Sequence, residues 1–383
     1  MPPTTYSLFV QNLREGRSPD YATVQNLAAR EAPLWGELLS RATSQAMVKN
    51  DPHTWRLFGR TSGTTSRRNP ADPVEFNRNA LSLSAKACLR MTITPLPMIE
   101  YEHDILDAAD ENHWNTMAAQ EEADQSTDHL NFCDDDILAE PDADMETFTD
   151  QRSPPFSLIT LICPDGSDST GFPVTTGVPG NFGATTTVQN LDPDDVPTVQ
   201  NNNRWAPKGE YYGGDPFDPD DGVCEKLGRL FDRLRFTSLI GSAGNTHSQS
   251  LNPESECMII TGYNGSSVLR RNQFRNNDNH GNDSSFQNPS YRGLKLNIVS
   301  GWDQKNYDYR GGSPYTSAFA ADEPLFLCVN KRDVFVIGHE QHFYRHVTKD
   351  MGARQYDVDC DILETWWNLK ARRRDTSGFV AAR

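Results

Sequence analysis

Residues 324–347 read PLFLCVNKRDVFVIGHEQHFYRHV, and residues 350–380 read DMGARQYDVDCDILETWWNLKARRRDTSGFV. The first stretch opens with an apolar run, Pro324 to Val329, closed by Asn330; a second run, Asp333 to Ile337, is closed by Gly338. Residues 355–369 are rich in Tyr, Val, Ile, Thr and Trp. Short β-branched and aromatic runs separated by Asn, Gly and Asp predict sheet rather than helix. Tyr356, Val358, Cys360 and Ile362 alternate with Asp357, Asp359 and Asp361, which predicts a half-buried strand. From Leu363 the alternation breaks. Trp366 and Trp367 are adjacent and so point to opposite faces, which predicts a central strand covered on both sides. Arg372, Arg373 and Arg374 follow, too concentrated for a core and suited to a neighbour's carboxylates or to DNA.

Upstream, Val223, Leu227, Leu230, Phe231 and Leu234 mark one face of a helix capped by Asp220-Asp221. Met258-Ile259-Ile260 predicts a strand, Ser266 to Arg271 a short helix, and Leu294 to Val299 another strand. Residues 164–221 are dominated by Pro, Gly, Asn, Asp and Thr, which predicts a loop-rich insertion that contacts neighbouring subunits. Residues 156–163 form an apolar stretch read as a strand. Residues 276–288 and 303–314 read as loops.

The first hundred residues predict two short amphipathic helices, one after Ser18-Pro19 and one from Pro33, as an N-terminal arm. A long hairpin follows over 53–98. Its arms alternate, its tip is polar and carries Arg60, Arg67 and Arg68, and its second arm ends at Pro95 and Pro97. Residues 101–130 lack Pro and Gly and predict a helix; Asp134-Asp135-Asp136 and Pro141 predict a loop from Cys133 onward.

The charge is unevenly placed. The 383-residue chain has a formal net charge of −17. Residues 101–150 hold seventeen Asp and Glu and no Lys or Arg, and outside that block acids and bases balance. One acidic block on a neutral body points to a distinct surface. No apolar run approaches a membrane span, and the first residues lack a basic-then-apolar secretory pattern. Seven cysteines without a Cys-x-x-Cys pair read as buried, reduced thiols.

The element order and the phrases Gly262-Tyr263-Asn264 to Arg270-Arg271, Gly293-Leu294-Lys295-Leu296 and Arg372-Arg373-Arg374-Asp375 resemble the second half of major capsid proteins of tailed bacteriophages of the Hong Kong 97 type. The resemblance covers roughly 222–380. It implies an α+β fold with an N-terminal arm, an extended E-loop hairpin, a long spine helix in a peripheral domain, and an axial domain with a mixed sheet and flanking helices. On that scheme 1–52 is the arm, 53–99 the E-loop and 100–163 the peripheral domain with its acidic spine. Residues 164–221 are then the insertion, 222–345 the axial domain, and 346–383 the closing strands returning to the peripheral domain.

The implied function is self-assembly, as hexamers and pentamers, into an icosahedral shell around double-stranded DNA. A decoration or scaffold protein is a possible partner. The DNA would be enclosed without specific binding, since an acidic inner wall repels phosphates. The implied location is the virion, after synthesis in the host cytoplasm. Expected intersubunit contacts are Arg60, Arg67, Arg68, Trp366, Trp367, Arg372, Arg373 and Arg374. No enzyme activity, cofactor, metal or membrane partner is expected. Lys86 lies on the hairpin, but nothing identifies a crosslinking partner.

Other readings remain open. Tail, neck and decoration proteins also carry short strands and long loops. A soluble enzyme would act through one of two motifs. Arg60 to Ser66, RTSGTTS, resembles the phosphate loop of adenylate-forming enzymes, but the Gly-Lys frame of a P-loop is missing. His339, His342 and His346 have metal-ligand spacing on a helix, yet they follow a strand, so polar strand or turn histidines are expected. The Asp/Asn clusters at 215–221 and 276–283 lack an EF-hand frame and read as turns.

Overall fold

The computed structural model describes residues 33–39, 47–58, 82–99, 111–139, 145, 151–162, 188–191, 196, 205, 207–212, 215–218, 220–235, 257–276, 290–299, 325–350 and 358–382. The expected helix after Ser18, the hairpin tip with Arg60, Arg67 and Arg68, residues 277–288 of the expected loop at 276–288, and the loop at 303–314 lie outside them.

One strand organises the first half of the fold. β12 (Val358–Ala371) is fourteen residues long. On one side it pairs antiparallel with β4 (Arg90–Ile99) from Val358↔Ile99 to Trp367↔Arg90. Its other side is shared. β11 (Arg345–Asp350) pairs with residues 359–364, and β10 (Val334–His339) pairs with residues 367–371. A parallel two-residue strand, β1 (Met47–Val48), extends the sheet beyond β10. The expected central strand is therefore present and flanked on both sides. β4 runs through Pro95 and Pro97 rather than ending there. It pairs only with β12, so it is an edge strand among the described residues. The two prolines, two positions apart, turn their missing donors away from the ladder.

The hairpin expected over 53–98 is present at its base. β2 (His53–Phe58) and β3 (Ser82–Ala87) pair antiparallel from His53↔Ala87 to Phe58↔Ser82. It is held against the large sheet by the Trp55 indole, whose Nε1–H donates to the Ala371 carbonyl at 3.1 Å.

Two helices cover this sheet. α1 (Pro33–Leu39) buries Leu34, Trp35, Leu38 and Leu39. α2 (Glu111–Ile137) runs further toward the C-terminus than expected, because Cys133 to Ile137 is helical rather than loop. Asp134, Asp135 and Asp136 do not end the helix. Cys133 and Ile137 are fully buried one turn apart, and Asp134 Oδ1 accepts from the Trp35 backbone N–H at 2.7 Å. The apolar stretch expected as a strand is a short helix, α3 (Leu158–Ile162). Ser157 caps it: its hydroxyl accepts from the Thr160 N–H at 3.2 Å. All five residues are buried, and a fully apolar run carries no periodicity that separates helix from strand.

The second half is a six-stranded mixed sheet, in the order β5 (Lys208–Tyr212), β13 (Gly378–Ala382), β9 (Phe326–Asn330), β6 (Cys257–Thr261), β8 (Leu294–Ile298) and β7 (Ser290–Tyr291). Alternation splits each central strand between two cores. Leu327, Met258, Ile260 and Phe379 face the core shared with the first sheet. Phe326, Cys328, Ile259 and Val380 face a second core with α4 (Val223–Arg235) and α5 (Tyr263–Asn276). α4 begins at Gly222, whose carbonyl accepts from the Lys226 N–H at 3.1 Å, while Asp221 instead ion-pairs with Lys226. α5 is about twice the expected length, since Val268 and Leu269 are anchored and the polar turns on either side continue the helix.

Parts of the expected insertion pack inward. Val188, Leu191, Val196 and Trp205 are buried in the first core. The Trp205 indole donates to the carbonyls of Val188 and Leu191. Polar composition hid these anchors. Cys88, Cys133, Cys257 and Cys328 are buried free thiols, and Cys224 is half-buried and free.

Candidate functional site

The closing segment holds most of the expected contact residues, and the structure separates them. Trp367 is fully buried within its own chain. Its ring meets Trp35 edge to face, with centroids 4.5 Å apart, and its indole donates to Thr92 Oγ1 at 3.0 Å. Trp366, on the opposite face, is half-buried and stacks on His342 with centroids 4.6 Å apart.

The three arginines diverge at the turn between β12 and β13. Arg374 is 2 % exposed. Its Nε–H donates to the Leu161 carbonyl at 2.6 Å, so it closes the last turn of α3. Arg373 makes a two-pronged contact to Asp375, Nε to Oδ1 at 2.9 Å and Nη2 to Oδ2 at 2.7 Å. Burial pushes the Asp375 carboxyl up, and Arg373 partly offsets this. Thr376 Oγ1 donates to Asp333 Oδ2 at 2.8 Å, and Ser377 Oγ accepts from the Asn330 N–H at 3.0 Å. This turn therefore locks β12, β13 and α3 together. Of the three consecutive arginines only Arg374 enters the core, because the turn sends each in a different direction to its own acceptor or ring. Arg373 stays half-buried against Asp375, and Arg372 half-buried over the Phe335 ring, at 5.3 Å.

His339, His342 and His346 are not on a helix. His339 ends β10, His342 lies in the turn, and His346 is on β11. His342 Nδ1 lies 2.8 Å from Glu364 Oε1, which Arg345 also approaches at 3.4 Å. The helical spacing that gave these residues metal-ligand geometry does not apply. Among the described residues no group of three or more His, Cys, Asp or Glu is placed to hold a metal ion. No described helix is long and apolar enough to cross a membrane.

Sequence reasoning passed over a buried polar seam between the sheet and α2. His129 is fully buried; one ring nitrogen is 2.8 Å from Thr94 Oγ1 and the other 2.7 Å from Thr365 Oγ1. Burial lowers its pKa to about 3, so the ring is neutral. Gln125 Nε2 donates to the Thr94 carbonyl at 2.7 Å. Asn368 is likewise buried: its Oδ1 accepts from the Phe156 N–H and its Nδ2 donates to the Cys88 carbonyl at 2.6 Å. Gln189, at φ 55°, donates to the Leu369 carbonyl and accepts from the Ala371 N–H. The weak apolar periodicity of 111–137 was the available signal, since a helix that buries Gln125, Ser126 and His129 cannot show a clean apolar stripe.

The arrangement is one of tight internal fastening around β12, with Arg372, Trp366 and the hairpin left toward the outside. No protein-family model matches the chain, and no curated protein matches it in sequence. Solved structures do. A chain of the bacteriophage PhiM1 mature capsid matches at 12 % identity and TM-score 0.47, covering 88 % of this chain and 83 % of that one. A chain of the capsid of a native GTA particle matches at 9 % identity and TM-score 0.49, covering 90 % of each. A chain of the cyanophage A-1(L) capsid asymmetric unit matches at 13 % identity and TM-score 0.54, covering 91 % of this chain and 92 % of that one. This protein therefore has the α+β fold of that cyanophage capsid chain, nearly end to end.

Proposed function

We propose that this chain is the major capsid protein of a tailed bacteriophage and that it self-assembles into the icosahedral shell enclosing double-stranded DNA. The observation that carries the reading is the likeness to the cyanophage A-1(L) capsid chain over nine-tenths of both molecules. A tail or decoration protein gives no account of a likeness that spans nine-tenths of a capsid chain.

On this reading the fold is of the Hong Kong 97 type. β2 and β3 are the base of the E-loop, whose tip carries Arg60, Arg67 and Arg68 over an adjacent subunit. α2 is the spine helix over the five-stranded sheet of the peripheral domain. The six-stranded sheet with α4 and α5 is the axial domain. Trp366 and Arg372 contribute to subunit contacts, whereas Trp367, Arg373 and Arg374 support them from inside. The acidic stretch lines the inner wall in part, where it contains DNA by repulsion rather than by binding. The protein is structural, acts in the virion after synthesis in the host cytoplasm, and needs no cofactor.

Negative-stain imaging of the expressed protein tests the reading. Shells, capsomers or sheets are expected. A strictly monomeric species by light scattering at high concentration overturns it.

A further inference from the structure

Lys370 is a buried cation without a carboxylate. It is 7 % exposed, and its ammonium lies 3.0 Å from His53 Nε2, 4.9 Å from the centre of the Trp55 ring and 5.7 Å from that of Phe335. Arg372 lies over the same Phe335 ring from the next position on that face. Among the described residues neither cation has an acidic partner. His53 does not supply the missing charge: burial and Lys370 lower its pKa to about 4, so it is a neutral acceptor. Two aromatic faces soften the desolvation of the ammonium but do not neutralise it, and burial, followed by the nearby Arg372 charge, lowers the pKa of Lys370 to about 8. A buried cation with no counter-charge among the described residues is expensive to keep.

The complementary groups are on α2. Asp124 and Asp128 are exposed, one turn apart on one face of the helix, and have no basic partner among the described residues. Gln125 places this part of the helix: it bonds the carbonyl of Thr94, and Thr94 pairs with Leu363 of β12. Lys370 lies seven residues further along that strand, roughly 23 Å away at about 3.3 Å per residue. His129, next to Asp128, bonds Thr365, so the acids lie beside the middle of β12 and the cations at its end, five to seven residues apart and too far to meet within a chain.

We propose that Arg372 of one subunit, with the buried Lys370 charge behind it, meets Asp124 and Asp128 of a second copy, in a head-to-tail contact. A surface that offers cations at one end and carboxylates at the other makes a heterologous interface, which closes into rings or extends into arrays rather than stopping at a dimer. The inference rests on the shell reading and adds to it the pair of surfaces that meet.

Charge exchange tests it. Arg372→Glu in one chain, and Asp124→Lys with Asp128→Lys in another, are each expected to weaken assembly at least about tenfold at low salt. Mixing those two chains does not repair every contact, but placing all three changes in one chain should restore particle yield. Lys370→Met, which removes the buried cation without adding charge, should leave the thermal transition intact or raised while assembly falls. Arg372 is half-buried, so Arg372→Glu keeps the test valid if the Lys370 variant fails to fold. Particles that form equally well with every reversal overturn this inference and leave the shell reading standing. Wild-type subunits that neither assemble nor associate at low salt in sedimentation overturn both.

Discussion

Trp35 and Trp367 meet edge to face with ring centroids 4.5 Å apart, although 332 residues separate them in the chain. Both are fully buried, and around them the first helix, the long helix and the central strand share one core. Trp367→Ala is expected to cost about 3–5 kcal/mol. The variant should be insoluble or melt far below the wild type in a thermal scan. Trp366 is half-buried and stacks on a turn histidine, so Trp366→Ala should cost about 1 kcal/mol and give a soluble chain. Equal losses at the two positions would contradict the opposite faces assigned to them.

The adjacent arginines should separate in the same way. Arg374→Met removes the buried donor to the Leu161 carbonyl and should cost about 2–3 kcal/mol, read as a lower denaturant midpoint. Arg372→Gln should change stability by less than about 0.5 kcal/mol. A stability loss for Arg372→Gln matching that for Arg374→Met would show that the turn does not direct the two side chains apart.

Acid should destabilise the fold through His129. Its pKa in the folded chain is lowered to about 3, against 6.5 for an exposed ring. The unfolded chain therefore takes up a proton as pH falls through about 6.5, and the folded chain does not until about 3. The contribution is complete above pH 6.5 and declines by about 1.4 kcal/mol per pH unit between those values. Carboxylates titrate in the same range, so the comparison needed is with His129→Asn. That variant should be less stable at pH 7.5 and should lose less on going to pH 4.5. Parallel melting curves at both pH values would place His129 outside the core.

The hairpin tip lies outside the described residues, and charge reversal tests its proposed role. Arg67→Glu with Arg68→Glu should leave the circular dichroism spectrum and melting temperature unchanged while reducing particle yield. Normal particles from this variant would remove the tip from the subunit contact.

Much of the second half was readable because its elements are short, apolar and punctuated. Cys257 to Thr261, Phe326 to Asn330 and Val334 to His339 are buried runs closed by Gly, Asn or a turn, and α4 shows a full apolar stripe. The misreadings share a cause. α3 is too short and too apolar for periodicity to identify it. β4 carries prolines that a paired interior strand forbids, but it has a free edge. The end of α2 looks like an acidic loop, yet Cys133 and Ile137 hold the core and Asp134 is tied to the start of α1. Arg374 was not legible as interior, because its acceptor at Leu161 is distant in sequence. The His129 and Asn368 seams were invisible for the same reason: a buried polar residue looks like a surface one until its partners are known.

The pairing of β4 with β12 also dictates when the subunit can fold. Arg90 is matched with Trp367, so the ribosome must add a further 277 residues before that ladder can close. At about 5–20 residues per second this takes roughly 15–55 s. During that interval α1 and α2 present Trp35, Leu38, Leu130 and Ile137 without the strand that covers them. Such a chain gains its large sheet only late in synthesis, and its early exposed apolar surface is a ready target for chaperones and for premature association with other nascent copies.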